Sequence, residues 1–183
     1  LHKYQYVRVQ PEHTYAVANT SMTIEPFVLD HMPNCPSTAY LIHSKGAYVL
    51  YFGDTGPDAM TETNCLQTIW TRVAPLMRDK KLQGIFLESS HPNDHPNHLL
   101  FGHLTPSWVM AELHRLADLV NPAQPRQALR DLAVVVTHIK PSLERSTMPK
   151  KQIAQQLQDM NDMGVRFIIP KRGQRIEFKK ESA

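Results

Sequence analysis

Apolar and polar residues alternate through the first part of the chain with the two-residue period of half-buried β-strands. Residues 4–9 (YQYVRV) predict a first strand, and residues 13–31 predict one or two more. Residues 38–54 predict a β-hairpin that turns at residues 45–46, a Lys-Gly pair. The hairpin ends on the turn sequence Gly-Asp-Thr-Gly, which places the carboxylate of Asp54 at a strand end.

Beyond this turn, the pattern changes to helices separated by short apolar runs. Apolar residues at helical spacing, with Asp58 as a candidate cap, predict helices at 66–76, 105–120 and 150–162. Apolar runs predict strands at 82–89, 132–138, 165–170 and 175–178, the last two forming a terminal hairpin. Strands followed by alternating helices and strands predict a layered α/β fold, with one domain over residues 1–183.

The composition is that of an ordinary globular protein. The 183 residues are 42% hydrophobic and 20% charged, which suffices for one hydrophobic core. The formal charge of +3 is far from the basic balance of nucleic-acid-binding proteins, so no nucleic-acid partner is expected. No apolar run approaches ~18 residues, which argues against a membrane span. Cys35 and Cys65 are expected to be free and buried, with one disulfide as the alternative.

Three polar residues follow apolar runs, where layered α/β folds place their ligand-binding groups. They are His31, Asp54 and His138. Histidine and aspartate suit Zn, Mn and Fe, and a carboxylate can bridge two ions through its two oxygens. Each residue taken alone is more typical of a hydrogen-bonded turn, whereas the three together favour a turn and a metal centre equally.

Glu88 and His103 form a second candidate site. A carboxylate that orients an imidazole is a common arrangement for a general acid or an electrostatic stabiliser. The alternative is that His103 only caps the helix that follows it. The string HPNDHPNH (91–98) carries three histidines, but its prolines favour an exposed loop over a metal site. Lys140, two residues after His138, is a candidate for contacting phosphate, with a solvated charge as the alternative.

Several other catalytic classes lack their motifs in this sequence. There is no Gly-x-x-x-x-Gly-Lys-[Ser/Thr] phosphate loop, no Gly-x-Ser-x-Gly elbow and no Cys-x-x-Cys pair. Nothing in the pattern marks either cysteine as an activated nucleophile. Metal-assisted chemistry is the class that the histidine and carboxylate positions support.

Four sequence blocks resemble those of the class II cyclic-nucleotide phosphodiesterases, a family in the metallo-β-lactamase superfamily. The blocks are PFVLDHMPNCPSTAYLI, VLYFGDTGPD, IFLESSHPNDHPNHLLFGHLTP and VVVTHIKPS. They extend from about residue 26 to residue 142. GHLTP and THIKPS are fairly specific to the family, whereas GDTG occurs across the superfamily.

The resemblance implies an αββα sandwich with two divalent metal ions between its sheets. Zn suits the ligand set, with Mn and Fe as alternatives. Carried over by motif, His31 would bind one ion, Asp54 would bridge both and His138 would bind the second. The implied catalytic set is His103, Glu88 and Asp54, with His103 oriented by Glu88 to contact the scissile phosphate or protonate the leaving 3′-oxygen.

One superfamily motif, His-x-His-x-Asp-His, is absent from the sequence. The nearest string, SSHPNDHPNH, has Asp94 and His95 but lacks the two earlier histidines. In the family this motif lies N-terminal to the position equivalent to residue 1. The chain therefore resembles the C-terminal portion of such an enzyme, with the N-terminal part of the domain missing, and we expect the motif in an upstream segment.

The expected function is hydrolysis of 3′,5′-cyclic AMP, and of cyclic GMP after it, to the 5′-nucleotide by a hydroxide held between two metals. The alternatives are a ribonuclease Z-like RNA 3′-processing phosphodiesterase and a non-catalytic fragment that acts as a binding module. The expected partner is the small cyclic nucleotide, without nucleic acid or membrane. The oligomeric state is left open, a homodimer included. A periplasmic location is favoured for a bacterial protein and a cytoplasmic one otherwise.

Overall fold

The computed structural model describes residues 6–32, 35–142 and 148–178. The strands are β1 (Tyr15–Ala16), β2 (Met22–Met32), β3 (Cys35–Ser44), β4 (Ala47–Phe52), β5 (Leu82–Glu88), β6 (Ala133–Thr137) and β7 (Arg166–Ile168). The helices are α1 (Asp58–Thr61), α2 (Cys65–Arg78), α3 (Pro106–Val120), α4 (Pro125–Ala128) and α5 (Pro149–Met160), with a 3₁₀ turn at Asn97–Leu99. None of the helices in the described ranges is long and apolar enough to cross a membrane.

The seven strands form one sheet whose spatial order is the order of the chain. β1 to β4 pair antiparallel, whereas β4 to β7 pair parallel. Antiparallel strands can be joined by tight turns, but parallel neighbours require crossover connections, and helices α2, α3 and α5 lie in these connections. The predicted succession of strands followed by alternating helices and strands is confirmed.

One face of the sheet encloses the core with the helices. Alternate residues of successive strands lie on this face, as in Leu41, Leu50, Ile85 and Val134, each no more than 2% exposed. They pack against apolar residues of α2, α3 and α5, including Trp70, the largest of the fully buried side chains. This packing holds the strand ends that carry the candidate site.

The opposite face of the sheet is also apolar but more open. Val28 is 46% exposed and Tyr51 is 45% exposed. The ring of Tyr51 lies 5.5 Å from that of Phe86, which in turn contacts Phe178 at 5.9 Å. Within residues 6–32, 35–142 and 148–178, the chain thus forms one sheet and one helical layer, which is a portion of the expected αββα sandwich.

Asp58 caps a helix, as predicted. It lies in α1 and caps the helix that follows, α2. Its carboxylate accepts hydrogen bonds from the backbone N–H groups of Leu66 at 3.0 Å and Gln67 at 2.8 Å. These first-turn amides have no partner within the helix. The cap anchors the segment that follows Asp54 to the start of α2.

Two predicted strands are wrong. Residues 6–9, the described part of 4–9, form no strand, and Tyr6 is 96% exposed because no neighbouring strand pairs with this segment. The rest of that prediction lies outside the described residues. Residues 175–178 also form no strand, so the predicted terminal hairpin is absent. Phe178 instead packs on Gly84 and Phe86 of β5, which draws the segment across the sheet.

The prediction that both cysteines are free is confirmed, whereas the prediction that both are buried is wrong. Cys35 and Cys65 are both free thiols. Cys35 is exposed at the start of β3, where it pairs with Met32 at the end of β2, and Cys65 is half-buried at the start of α2.

Glu112 is a buried carboxylate between α2 and α3, with 1% of its surface exposed. Trp70 donates its indole N–H to Oε2 at 3.0 Å. Oε1 has no hydrogen-bond partner among the described residues, and the Arg115 guanidinium lies 3.5 Å from it. Burial raises the pKa of this carboxyl, so the native state disfavours its ionised form.

We predict that Glu112→Gln stabilises the protein at about pH 8 but much less at about pH 4. The folded-state pKa is above the unfolded value, so wild-type stability is lost as the pH rises through the interval between them. Glutamine keeps a side-chain oxygen that can accept the hydrogen bond from Trp70, but it has no carboxyl group to ionise. Thermal melts should show a rise of about 2–4 °C for each kcal/mol relieved. Glu62→Gln, at an exposed position, is the matched control, and equal Tm values for Glu112→Gln and wild type at pH 8 would contradict the prediction.

Candidate metal centre

Four strand ends meet at one edge of the sheet and carry the predicted polar residues. β2, β4, β5 and β6 run in the same direction, so their C-terminal ends lie together. His31 lies near the end of β2, Asp54 follows β4, Glu88 ends β5 and His138 follows β6. His103 enters from the loop before α3. The structure therefore brings all five predicted site residues to one place.

Asp54 lies between two histidines. Its Oδ1 is 3.1 Å from Nδ1 of His138, and its Oδ2 is 4.0 Å from Nε2 of His31. The carboxylate is 38% exposed, so a ligand can reach it. Each oxygen faces a different imidazole, which is the arrangement that a bridging carboxylate needs.

His31 is held in one tautomer by a backbone carbonyl. Its Nδ1 lies 2.9 Å from the carbonyl oxygen of Gly102. Because a carbonyl only accepts, Nδ1 carries the proton and Nε2 presents its lone pair towards Asp54. Sequence reasoning missed Gly102, although the glycine in GHLTP was visible. Its φ of +75° and its closeness to the His31 backbone explain why a glycine stands there.

Glu88 is 1% exposed and accepts hydrogen bonds on both oxygens. The backbone N–H of Thr55 donates to Oε1 at 2.8 Å, and the Ser90 hydroxyl donates to Oε2 at 2.5 Å. The backbone N–H of Leu104 donates to Oε2 at 3.3 Å. Nδ1 of His103 lies 2.9 Å from Oε1, so this nitrogen carries a proton and Nε2 is left for other partners.

The alternative in which His103 only caps α3 does not match the geometry. The N-cap position of α3 is Thr105, and the side chain that accepts a hydrogen bond from its first turn is Asn93, whose Oδ1 lies 2.8 Å from the backbone N of Ser107. The ring of His103 is 4% exposed and lies 4.7 Å from that of His31 and 5.0 Å from that of His138, centroid to centroid. Its nearest polar partner is Glu88.

Ser90 is a site residue that sequence reasoning missed. Its hydroxyl has one proton, which Glu88 accepts, and its lone pairs face Nδ1 of His138 at 3.1 Å. Its backbone carbonyl accepts from the N–H of Lys140 at 3.0 Å. The available signal was the position of the Ser-Ser pair directly after Glu88 at a strand end. Ser90 thus joins the Glu88 cluster to the turn that carries His138.

The loop that follows this pair flanks the site, and its assignment as a loop is confirmed. The rings of His91 and His95 stack at 3.9 Å, and both are half-buried, whereas His98 is exposed as predicted. Burial, followed by the charges of His95, Lys140 and His103, lowers the pKa of His91 to about 4. His91 is therefore neutral near pH 7.

The donor groups fit a divalent metal. Among the described residues, Asp54, Glu88, His103 and His138 offer ligand atoms within 4.8 Å of one another. The oxygens of Glu88 already accept hydrogen bonds, whereas Asp54, His138 and Nε2 of His103 stay available to an ion, and His31 lies beside this group, with its Nε2 4.0 Å from Asp54. Imidazole and carboxylate suit zinc, but each zinc ion takes about four ligands, so these side chains do not fill two ions.

A family model for class-II cAMP phosphodiesterases matches residues 2–173. The chain belongs to this family. It is 40% identical over 178 residues to a 3′,5′-cyclic-nucleotide phosphodiesterase of Aliivibrio fischeri, covering 97% of this chain and 53% of that protein. The chain spans about half the length of the curated relatives it matches.

Two solved structures confirm the expected fold. Unliganded yeast PDE1 superposes with a TM-score of 0.78 at 24% identity, over 89% of this chain and 47% of that one. The metallo-β-lactamase fold protein YhfI from Bacillus subtilis superposes with a TM-score of 0.54 at 14% identity, over 88% of this chain and 52% of that one. The chain therefore has the metallo-β-lactamase fold.

Replacing Gly102 with alanine should displace His31. A Cβ at this position would lie 1.5 Å from the His31 carbonyl oxygen, so the backbone must shift. Gly46→Ala is the matched control, because Gly46 has a similar φ of +78° with nothing within 4 Å and incurs only about 1–2 kcal/mol of left-handed strain. We expect Gly102→Ala to lower both Tm and Zn²⁺ affinity, measured by chelator competition, more than Gly46→Ala does. Equal effects of the two variants would show that His31 does not depend on this contact.

Proposed function

We propose that the protein hydrolyses 3′,5′-cyclic nucleotides to 5′-nucleotides with two divalent metal ions, and prefers cyclic AMP to cyclic GMP. The observation that carries the proposal is the placement of Asp54 between His31 and His138, beside an imidazole that Glu88 orients. Membership of the class-II cAMP phosphodiesterase family and the name of the Aliivibrio fischeri relative support the same reaction.

His31, Asp54 and His138 would hold the metal ions. Divalent ions supply Lewis acidity at such a site. They neutralise charge on phosphoryl oxygens and lower the pKa of water, so that hydroxide is available as the nucleophile near neutral pH. Asp54 would bridge, because its two oxygens face different histidines. The Gly102 carbonyl keeps the Nε2 lone pair of His31 available, as a ligand position requires.

His103 would act directly on the phosphate. Its Nδ1 is held by Glu88, so Nε2 is the atom that can meet the substrate. In its imidazolium form, Nε2–H can donate to a phosphoryl oxygen or protonate the leaving 3′-oxygen. Glu88 does not reach the substrate in this scheme, because its oxygens are occupied, and its role is to position the ring.

Metal content is the first test. After exhaustive dialysis, elemental analysis of the protein at known intact mass should show bound metal, with about two ions per chain where further ligands complete both coordination shells. Asp54→Ala should lose both ions and His138→Ala at least one, whereas His98→Ala, on the exposed loop, should keep them. Values near zero for the wild type, or full metal content in Asp54→Ala, would contradict the ligand assignment.

Activity measurements should distinguish the role of His103 from that of the metal ligands. We expect His103→Ala to lower kcat for cyclic AMP by roughly 10²–10⁴-fold, with metal content retained, because a positioned acid is lost. Glu88→Gln should lower kcat less and change the pH–rate profile, since glutamine can hold the ring but not the charge. Wild-type kcat in His103→Ala would exclude this residue. Cleavage of precursor tRNA without cleavage of cyclic AMP would overturn the proposed substrate class.

A further inference from the structure

A cavity of about 520 Å³ lies beside the metal centre, between the turn after β6, the start of α5 and the end of β7. Its apolar walls include Ile139, Pro141, Pro149 and Ile169. Pockets for small molecules typically enclose roughly 300–1,000 Å³ and are mostly apolar with a few polar groups. The cavity therefore has the size and the lining of a small-molecule site.

The cavity adjoins the candidate metal centre at His138. This residue lines the cavity, and its Nδ1 also lies 3.1 Å from Asp54. The chain turns sharply here, since His138 has a left-handed φ of 53°. The turn brings Ile139 and Lys140 into the cavity wall, and the bond from the Lys140 N–H to the Ser90 carbonyl fixes it. A substituent on a phosphate bound at Asp54 would therefore have this space within reach, on the other side of His138.

The walls are held by contacts that do not need a ligand. The ammonium group of Lys150 donates to the carbonyl oxygen of Pro170 at 2.6 Å, which joins the first turn of α5 to the segment after β7. Ile139 and Ile169 pack against the hydrophobic core behind them. The cavity is thus preformed, which lowers the entropic cost of binding.

The charges of the lining favour an anion with an apolar body. Lys140 and Lys150 line the cavity, and the described lining residues include no aspartate or glutamate. Flat isoleucine and proline surfaces suit the faces of a heteroaromatic ring. We propose that this cavity binds the nucleobase and ribose of the cyclic nucleotide, an inference that rests on the proposed function and adds the substrate-binding site to it.

The ligand-side test compares adenosine 5′-monophosphate with ribose 5-phosphate. Both carry the phosphate, but only the first has a base to bury, so calorimetry on the zinc-loaded wild-type protein should show it binding about tenfold or more tightly. Adenosine 5′-monophosphate, but not ribose 5-phosphate, should also slow amide hydrogen exchange in segments 138–142 and 166–170. Equal affinity for the two compounds overturns the inference.

The protein-side test fills the cavity. Ile169→Trp should raise KM for cyclic AMP by about tenfold or more with little change in kcat, and should abolish the preference for adenosine 5′-monophosphate over ribose 5-phosphate. Ile168→Trp is the matched control, because Ile168 is also half-buried, one position away, and does not line the cavity. If Ile169→Trp does not fold, Pro141→Trp adds the same bulk from an exposed wall position.

The outcomes separate this inference from the proposed function. In one outcome, the wild-type protein hydrolyses cyclic AMP, and the folded cavity variant has the same KM and the same nucleotide preference. This outcome overturns the cavity assignment alone. A zinc-loaded wild-type protein that does not hydrolyse cyclic nucleotides overturns the proposed function and this inference with it.

Discussion

The buried carboxylate of Glu88 is the interaction on which the site depends. An ionised carboxylate with 1% exposure is tolerated only where hydrogen bonds replace its lost hydration. Those bonds come from the backbone of Thr55, the hydroxyl of Ser90, the backbone of Leu104 and the ring of His103. The donors belong to the loop after β4, the end of β5 and the loop before α3, so satisfying one charge aligns three segments that are distant in sequence.

This alignment positions the side chains of the candidate metal centre. The loop after β4 carries Asp54 next to Thr55, so the bond to Glu88 also fixes the neighbouring carboxylate. The loop before α3 carries Gly102 next to His103, and its carbonyl orients His31. Asp54 therefore lies one residue from an atom that bonds Glu88, His31 is held by the residue before His103, and His138 contacts the Ser90 hydroxyl, which limits how far these side chains can move.

Local sequence pattern was enough to predict the strand ends that carry site residues. It could not predict contacts between residues that are far apart in the chain. Asp54 and His138 could be assigned to strand ends because apolar runs stop there, and the parallel half of the sheet brings those ends together. Ser90 and Gly102 contribute through hydrogen bonds and close contacts that no local period encodes. The same limit explains the false strand at 175–178, where the pattern is right for a strand but Phe178 packs across β5 and no neighbour pairs with it.

The turn at His138 lies between the candidate metal centre and the cavity. The left-handed φ of His138 is one that histidine adopts more readily than most residues, and the surrounding contacts hold it here. Here the contacts are Asp54 on one side, the Ser90 hydroxyl beneath and the Lys140 backbone bond after the turn. If the ring shifted to relieve the backbone, the Asp54 contact and the cavity wall formed by Ile139 would change together. In the proposed complex, phosphate placement and selection of the attached group would be coupled through this turn, so a change at the turn itself, unlike one at Ile169 after β7, would alter the position of the reacting phosphorus as well as affinity.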